Sequence, residues 1–113
     1  MQTGRYNISA RQGQTFNFSF TIKTDGTPWN LSTYSARMQV RPTNISSTKY
    51  LDLVSPTNIT LTSGGSVSIT VNATTMAGIV YGNHVYDIEL ESAGGTVYTV
   101  LEGKFQVRQE VTH

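Results

Sequence analysis

The sequence predicts an all-β fold, a single sandwich of about 7–9 antiparallel strands with at most one short helical turn near residues 73–81. Three observations carry this. Apolar residues recur at every second position along most of the chain. Clusters of Gly, Pro, Asn and Asp interrupt that alternation at short spacing. The chain has 113 residues and no cysteine, so it is one domain, residues 1–113, able to bury a core without disulfide staples.

Taken in order, Arg5 to Ala10 opens the set, with Tyr6, Ile8 and Ala10 on one face. Thr15 to Ile22 has the cleanest alternation: Phe16, Phe18, Phe20 and Ile22 face one way, and Thr15, Asn17, Ser19 and Thr21 the other. Phe18, at the centre of this row, is expected inside, where truncation to alanine costs about 3–5 kcal/mol. Asp25-Gly26-Thr27-Pro28 reads as a turn. Thr33 to Arg41 repeats the pattern with Tyr34, Ala36, Met38 and Val40 inward, and Pro42, which lacks an N–H, stops it. A polar loop follows to Thr48, and Tyr50 to Val54 is a short strand with Leu51 and Leu53 aligned.

Ile59 and Leu61 belong to a hairpin whose Gly64-Gly65 turn leads into Val67, Ile69 and Val71. Ala73 to Tyr81 lacks alternation and suits one helical turn, capped by Thr74 or Thr75 and ended by Gly82. His84 to Glu91 returns to period 2, with Tyr86, Ile88 and Leu90 inward and Asp87, Glu89 and Glu91 outward. Gly94-Gly95 marks another hairpin. Val97 to Leu101 is apolar enough to suggest burial on both faces. Gly103 marks a bulge or bend, and Lys104 to Val111 closes the chain with Phe105, Val107 and Val111 inward. Two sheets packed face to face satisfy strands that each have one apolar side, which makes the architecture immunoglobulin-like.

Composition excludes several functions. Eight Lys and Arg against seven Asp and Glu give a net charge of +1, without a basic block of the kind that nucleic-acid binding needs. No apolar run reaches the roughly 18 residues of a spanning helix, and no apolar signal segment follows Met1, so neither a membrane nor Sec export is expected. The row Asp87, Glu89, Glu91 has carboxylates about 7 Å apart along a strand, too far for one cation. It reads as a solvated face set opposite Arg37, Arg41 or Arg108. His84 and Asp87 fall on opposite faces, so they form no acid–base pair with Ser92, and His113 is terminal. No catalytic, cofactor or metal residues are assigned. Six Asn-x-Ser/Thr sequons, at Asn7, Asn17, Asn30, Asn44, Asn58 and Asn72, are what an Asn-, Ser- and Thr-rich chain produces by chance. Exposed aromatics are the remaining candidates for an interface: Trp29, Tyr50 and Tyr81, with Trp29 also suited to closing one end of the sandwich.

One pattern runs nearly end to end. Arg11-Gln12-Gly13-Gln14-Thr15-Phe16 precedes the aromatic strand, and Asp25-Gly26-Thr27-Pro28 is followed by Asn30-Leu31-Ser32. Tyr34 to Arg41, Gly82 to Leu90, Leu101 to Val107 and Val111-Thr112 complete it. Over roughly residues 8–112 this resembles short virion proteins of tailed bacteriophages, of the kind found in cyanophages and phages of proteobacteria. Trp29 stands where that family is expected to have a smaller or more polar residue. The resemblance implies a non-enzymatic structural protein of the virion, assembled in the host cytoplasm. Capsid cement or decoration is the first expectation, and a neck, tail, baseplate or fibre-associated part the second. The implied partners are other phage structural proteins and copies of the chain itself, with no nucleic acid, membrane or cofactor. Loops that grip a host-surface carbohydrate are the alternative.

Overall fold

The computed structural model describes residues 4–43 and 46–109. Asn44, Val111 and His113 therefore lie outside the described residues. In chain order the elements are β1 (Gly4–Arg5), β2 (Ile8–Arg11), β3 (Phe16–Thr21), β4 (Lys23–Thr24), β5 (Thr27–Pro28), β6 (Ser35–Arg41), β7 (Leu51–Val54), β8 (Ile59–Leu61), β9 (Ser66–Val71), α1 (Ala73–Ala77), β10 (Gly82–Glu91) and β11 (Val97–Arg108).

A larger sheet runs β1-β11-β10-β6-β7, with β2 also on β11, and a three-stranded sheet runs β3-β9-β8. The small hairpin β4-β5 stands apart. This is the immunoglobulin arrangement. β6, β10 and β11 occupy the C, F and G places, β7 adds a C′ strand, and β3, β9 and β8 are the B, E and D strands of the facing sheet. The two sheets share one core, in which the Phe16 ring of β3 meets the Phe105 ring of β11 edge-on at 5.4 Å. Met38, Val40, Ile59, Val67, Ile88, Leu90 and Phe105 have no exposed surface, as their alternation requires.

The antiparallel expectation fails at the N-terminus. β1 and β2 both run parallel to β11, with Gly4 opposite Leu101 and Ile8 opposite Phe105. The two pieces are separated by Tyr6 and Asn7, and this break turns Tyr6 outward, to 54% exposure, where alternation had put it inside. Gly103 explains how they approach so closely: a Cβ there would overlap the Tyr6 carbonyl oxygen and sit 2.9 Å from its carbon. Gly103 is therefore a site of close backbone contact. The irregularity lies instead at Val100, skipped where Ile88 pairs with Leu101 and Glu89 with Thr99. β11 consequently continues from Val97 to Arg108 where the sequence suggested two strands. Its first residues are not buried on both faces, since Val97 is exposed and Tyr98 half-buried.

Both glycine hairpins form. Gly65 adopts φ 83° and its carbonyl accepts from Ile22 N–H at 2.8 Å, so a side chain there would be strained and would also meet the Ile22 carbonyl. The helical turn is shorter than the sequence suggested. Its N-cap is Asn72, whose side chain accepts from Thr75 N–H at 2.8 Å, and Gly78 ends it. Thr74 and Thr75 lie within the helix, and Gly82 begins β10. In β3 only Phe16 is fully buried; Phe18 and Phe20 are half-buried because β3 is an edge strand. The truncation penalty expected at Phe18 is correspondingly too large.

Candidate functional site

The outward residues of β10, β11 and β6 build one continuous polar surface. Register places Asp87 between Gln39 and Glu102, Glu89 beside Arg37, and Val85 between Arg41 and Lys104. Arg5, Tyr6 and Asn7 close one side, and together these residues line a shallow groove of about 870 Å3. A second hollow of about 200 Å3 adjoins it, flanked by the exposed Val54 and Val97.

Charges of both signs alternate across this face and are mostly engaged. Arg37 Nη2 donates to Glu89 Oε1 at 2.8 Å, and Arg5 lies 3.4 Å from Glu102. Arg41 donates to the Ser46 carbonyl at 2.6 Å and to Gln39 Oε1 at 2.7 Å. Gln39 in turn reaches Asp52 at 3.3 Å. Exposed pairs of this kind contribute little stability, so their main effect is to pattern the surface. Asp87 is set among like charges. Burial pushes its carboxyl above the usual range, Glu89 and the directly opposed Glu102 push the same way, and Arg41 and Arg37 only partly offset them. Like charges facing across a strand pair are unfavourable. The floor of the groove therefore has acceptor capacity flanked by guanidinium groups.

Beneath the floor, Tyr86 points inward. Its hydroxyl donates to the Tyr6 carbonyl at 2.6 Å, and burial pushes its phenol up to about 12. At the beginning of the same strand, His84 is buried and its Nε2 bonds the Val80 carbonyl at 2.7 Å, which assigns the proton to Nε2. A ring at the start of the F strand bonded to backbone four residues upstream occupies the place of the tyrosine corner of immunoglobulin domains. His84 thus has a structural task. It is on the opposite face from Asp87, while the Ser92 hydroxyl, at the far end of β10, accepts from Thr96 N–H in the hairpin turn.

The acidic row behaves as a solvated face. Arg37 and Arg41 lie near it as expected, but Arg108 pairs in register with Arg11 at the far end of β11. Four of the six sequon asparagines have local duties. Asn7 Oδ1 accepts from Lys104 N–H, Asn17 Oδ1 from the Thr70 hydroxyl, Asn30 Oδ1 from Ser32 N–H, and Asn72 caps α1.

The three aromatic candidates do not converge. Trp29 packs edge-on to Tyr98 at 5.5 Å, and its Nε1 donates to Thr24 Oγ1 at 2.7 Å. Tyr50 lies 4.5 Å from the His84 ring, and Tyr81 is exposed just before β10. Tyr98 pairs with Leu90, six residues from His84, so the Trp29 end and the Tyr50 end are about 20 Å apart. The groove residues Arg5, Gln39, Glu102 and Lys104 were not singled out by the sequence, and Asn7 was noted only as a sequon. Their outward parity in strands was visible; their convergence depends on the parallel N-terminal pairing, which was not.

No family model matches the chain, and no curated protein matches it. Among solved structures the chain is similar to fibronectin(III)-like modules of Clostridium thermocellum CbhA, at 12% identity and a TM-score of 0.48, covering 96% of this chain and 92% of that one. It is also similar to the extracellular domain of the voltage-gated sodium channel β4 subunit, at 14% identity and a TM-score of 0.44, covering 98% and 97%. The architecture assigned above rests on the chain's own strand order and register.

Proposed function

We propose that this chain is a non-enzymatic structural protein of a tailed-phage virion, a capsid cement or decoration protein that works through protein–protein contacts. The phage placement rests on the sequence resemblance. The contact mode rests on one observation, the shallow, charge-alternating groove across the outer face of the larger sheet. An enzyme site concentrates a few converging groups in a concave, largely apolar pocket. This face instead spreads matched charges over several strands, which gives specificity and register to a protein partner. A carbohydrate-gripping role has less support, because Trp29 is spent on Tyr98 and Thr24 while Tyr50 and Tyr81 lie at the other end of the sheet.

Gold labelling of purified particles with an antibody to the recombinant domain tests the proposal. Label distributed over heads is the expected result. Label confined to the neck, tail tip or fibres would move the protein to a connector, baseplate or fibre position. Absence from virions, confirmed by peptide mass spectrometry of dissociated particles, would remove the structural reading altogether.

A further inference from the structure

The two sheets differ sharply in charge. No Asp, Glu, Lys or Arg occurs in β3, β8 or β9, whose outward side chains are Ser, Thr and Asn. Along β3, Asn17, Ser19 and Thr21 are exposed, and β3 ends its sheet, with β9 on one side and no strand among the described residues on the other. Hydrogen-bond parity shows which backbone groups face that open side. Ile22 N–H donates to Gly65, continuing the β3–β9 ladder, so Phe20, Phe18 and Phe16 bond β9 while the N–H and C=O of Asn17, Ser19 and Thr21 point away from it. Thr70 agrees, since its N–H goes to Asn58 on the β8 side.

Open edges are normally protected by charge, proline, a bulge or shortness. The other edges have such protection. β7 is four residues long with Asp52 in it, β8 has three residues, and β1 and β2 are interrupted and contain Arg5 and Arg11. β3 has six residues and none of these devices, and the half-buried Phe18 and Phe20 lie beside the exposed Tyr6, whose ring is 5.6 Å from Phe18.

We propose that two copies of this chain pair antiparallel along β3, joining their three-stranded sheets across a two-fold axis at Ser19. A second copy is the occupant that this edge fits. A two-fold contact sets each residue against its own copy or a neighbour's, so a charged edge would repel itself, and this one is neutral throughout. Centred on Ser19, the pairing opposes Asn17 to the partner's Thr21 in hydrogen-bonded positions. It also sets Phe18 against the partner's Phe20, continuing the aromatic row. The pairing is independent of the virion reading, since a particle component and a free module would both show it.

Sedimentation velocity of the purified chain from micromolar to millimolar concentration should show a reversible monomer–dimer equilibrium. The Asn17, Ser19 and Thr21 amides should gain exchange protection as the dimer fills. Ser19→Lys and Ser19→Glu should each weaken the dimer at least tenfold, and an equimolar mixture of the two should restore it. Ser68→Lys, on the same face but one strand in, should leave dimerisation unchanged, and the spectra of all three variants should report an intact fold because their side chains face solvent. A monomer at every concentration would overturn the proposal. So would a dimer insensitive to both Ser19 variants, or one lost with Ser68→Lys alone, which would mean face-to-face contact. Protection of the three amides in the dilute monomer would also overturn it, since the edge would then be covered within one chain.

Discussion

Gly103→Ala should destabilise the fold by about 2–4 kcal/mol, far more than a glycine in a strand would suggest, since strand glycine is ordinarily a weakness that alanine relieves. The new Cβ would overlap the Tyr6 carbonyl and lie 3.2 Å from Asn7 Oδ1, so the segment between β1 and β2 must move off β11. Three hydrogen bonds hold it there: Tyr6 N–H to the Glu102 carbonyl at 3.0 Å, Lys104 N–H to Asn7 Oδ1 at 3.1 Å, and the Tyr86 hydroxyl to the Tyr6 carbonyl at 2.6 Å. At about 1 kcal/mol each, their loss removes roughly 3 kcal/mol, and a buried Tyr86 hydroxyl without a partner adds about 1 kcal/mol or more. Alanine returns roughly 0.4–1 kcal/mol by restricting the unfolded chain. Urea unfolding of the variant measures the net effect. Tyr86→Phe, made alone and in the Gly103→Ala background, tests the route. Alone it should cost about 1–1.5 kcal/mol; in the Gly103→Ala background it should instead recover about 1 kcal/mol, because the bond is already broken and the unpaired hydroxyl is removed. A neutral or stabilising Gly103→Ala, or a Tyr86→Phe penalty unchanged in its presence, would refute the reasoning.

Phe105→Ala should cost about 3–5 kcal/mol, because its ring is fully buried against Phe16 and Tyr86. Phe18→Ala should cost less than half as much by the same denaturant titration, and equal penalties would contradict the edge position of β3. The Tyr86 phenol, pushed up to about 12 by burial, keeps its proton more firmly folded than unfolded. Its contribution is therefore complete below pH 10 and lost as pH rises through 12, so alkaline titration should destabilise the native chain more steeply than Tyr86→Phe. Asp87→Asn should stabilise by about 0.5–1 kcal/mol at pH 7. The Asp87 carboxyl is raised by burial and by Glu89 and Glu102, so its ionised form is disfavoured in the fold. The gain should fade as pH drops below the ordinary aspartate range, where the native residue is neutral in both states, and a pH-independent gain would count against this cause.

Most of the sandwich was legible because alternation reports burial directly. Met38, Val40, Ile69, Ile88 and Phe105 are all where a period of two puts them. The departures share a cause. Alternation says which side of a strand is apolar but not whether the strand has a neighbour on both sides, so Phe18, at the centre of its aromatic row, read as deeper than its edge strand allows. Tyr6 was misplaced because two residues between β1 and β2 break the period without any Gly or Pro to announce it. Gly103 was noticed, but its sequence context cannot tell a bulge from a close approach; that distinction needs Tyr6, almost a full chain length away.

The same asymmetry governs the surface. Both sheets have apolar inner faces of the same kind, so the core places no demand on where charge goes. All charge nonetheless falls outside the strands of the smaller sheet. The larger sheet's outer face is patterned by Arg37–Glu89 and Arg5–Glu102, exposed pairs that tolerate water. The smaller sheet's edge offers backbone groups and neutral side chains, which is what the proposed pairing of two copies along β3 uses. The two proposed contacts therefore use different sheets, so a Ser19 variant that abolishes pairing leaves the Arg37–Glu89 and Arg5–Glu102 surface intact, and each proposal can fail without the other.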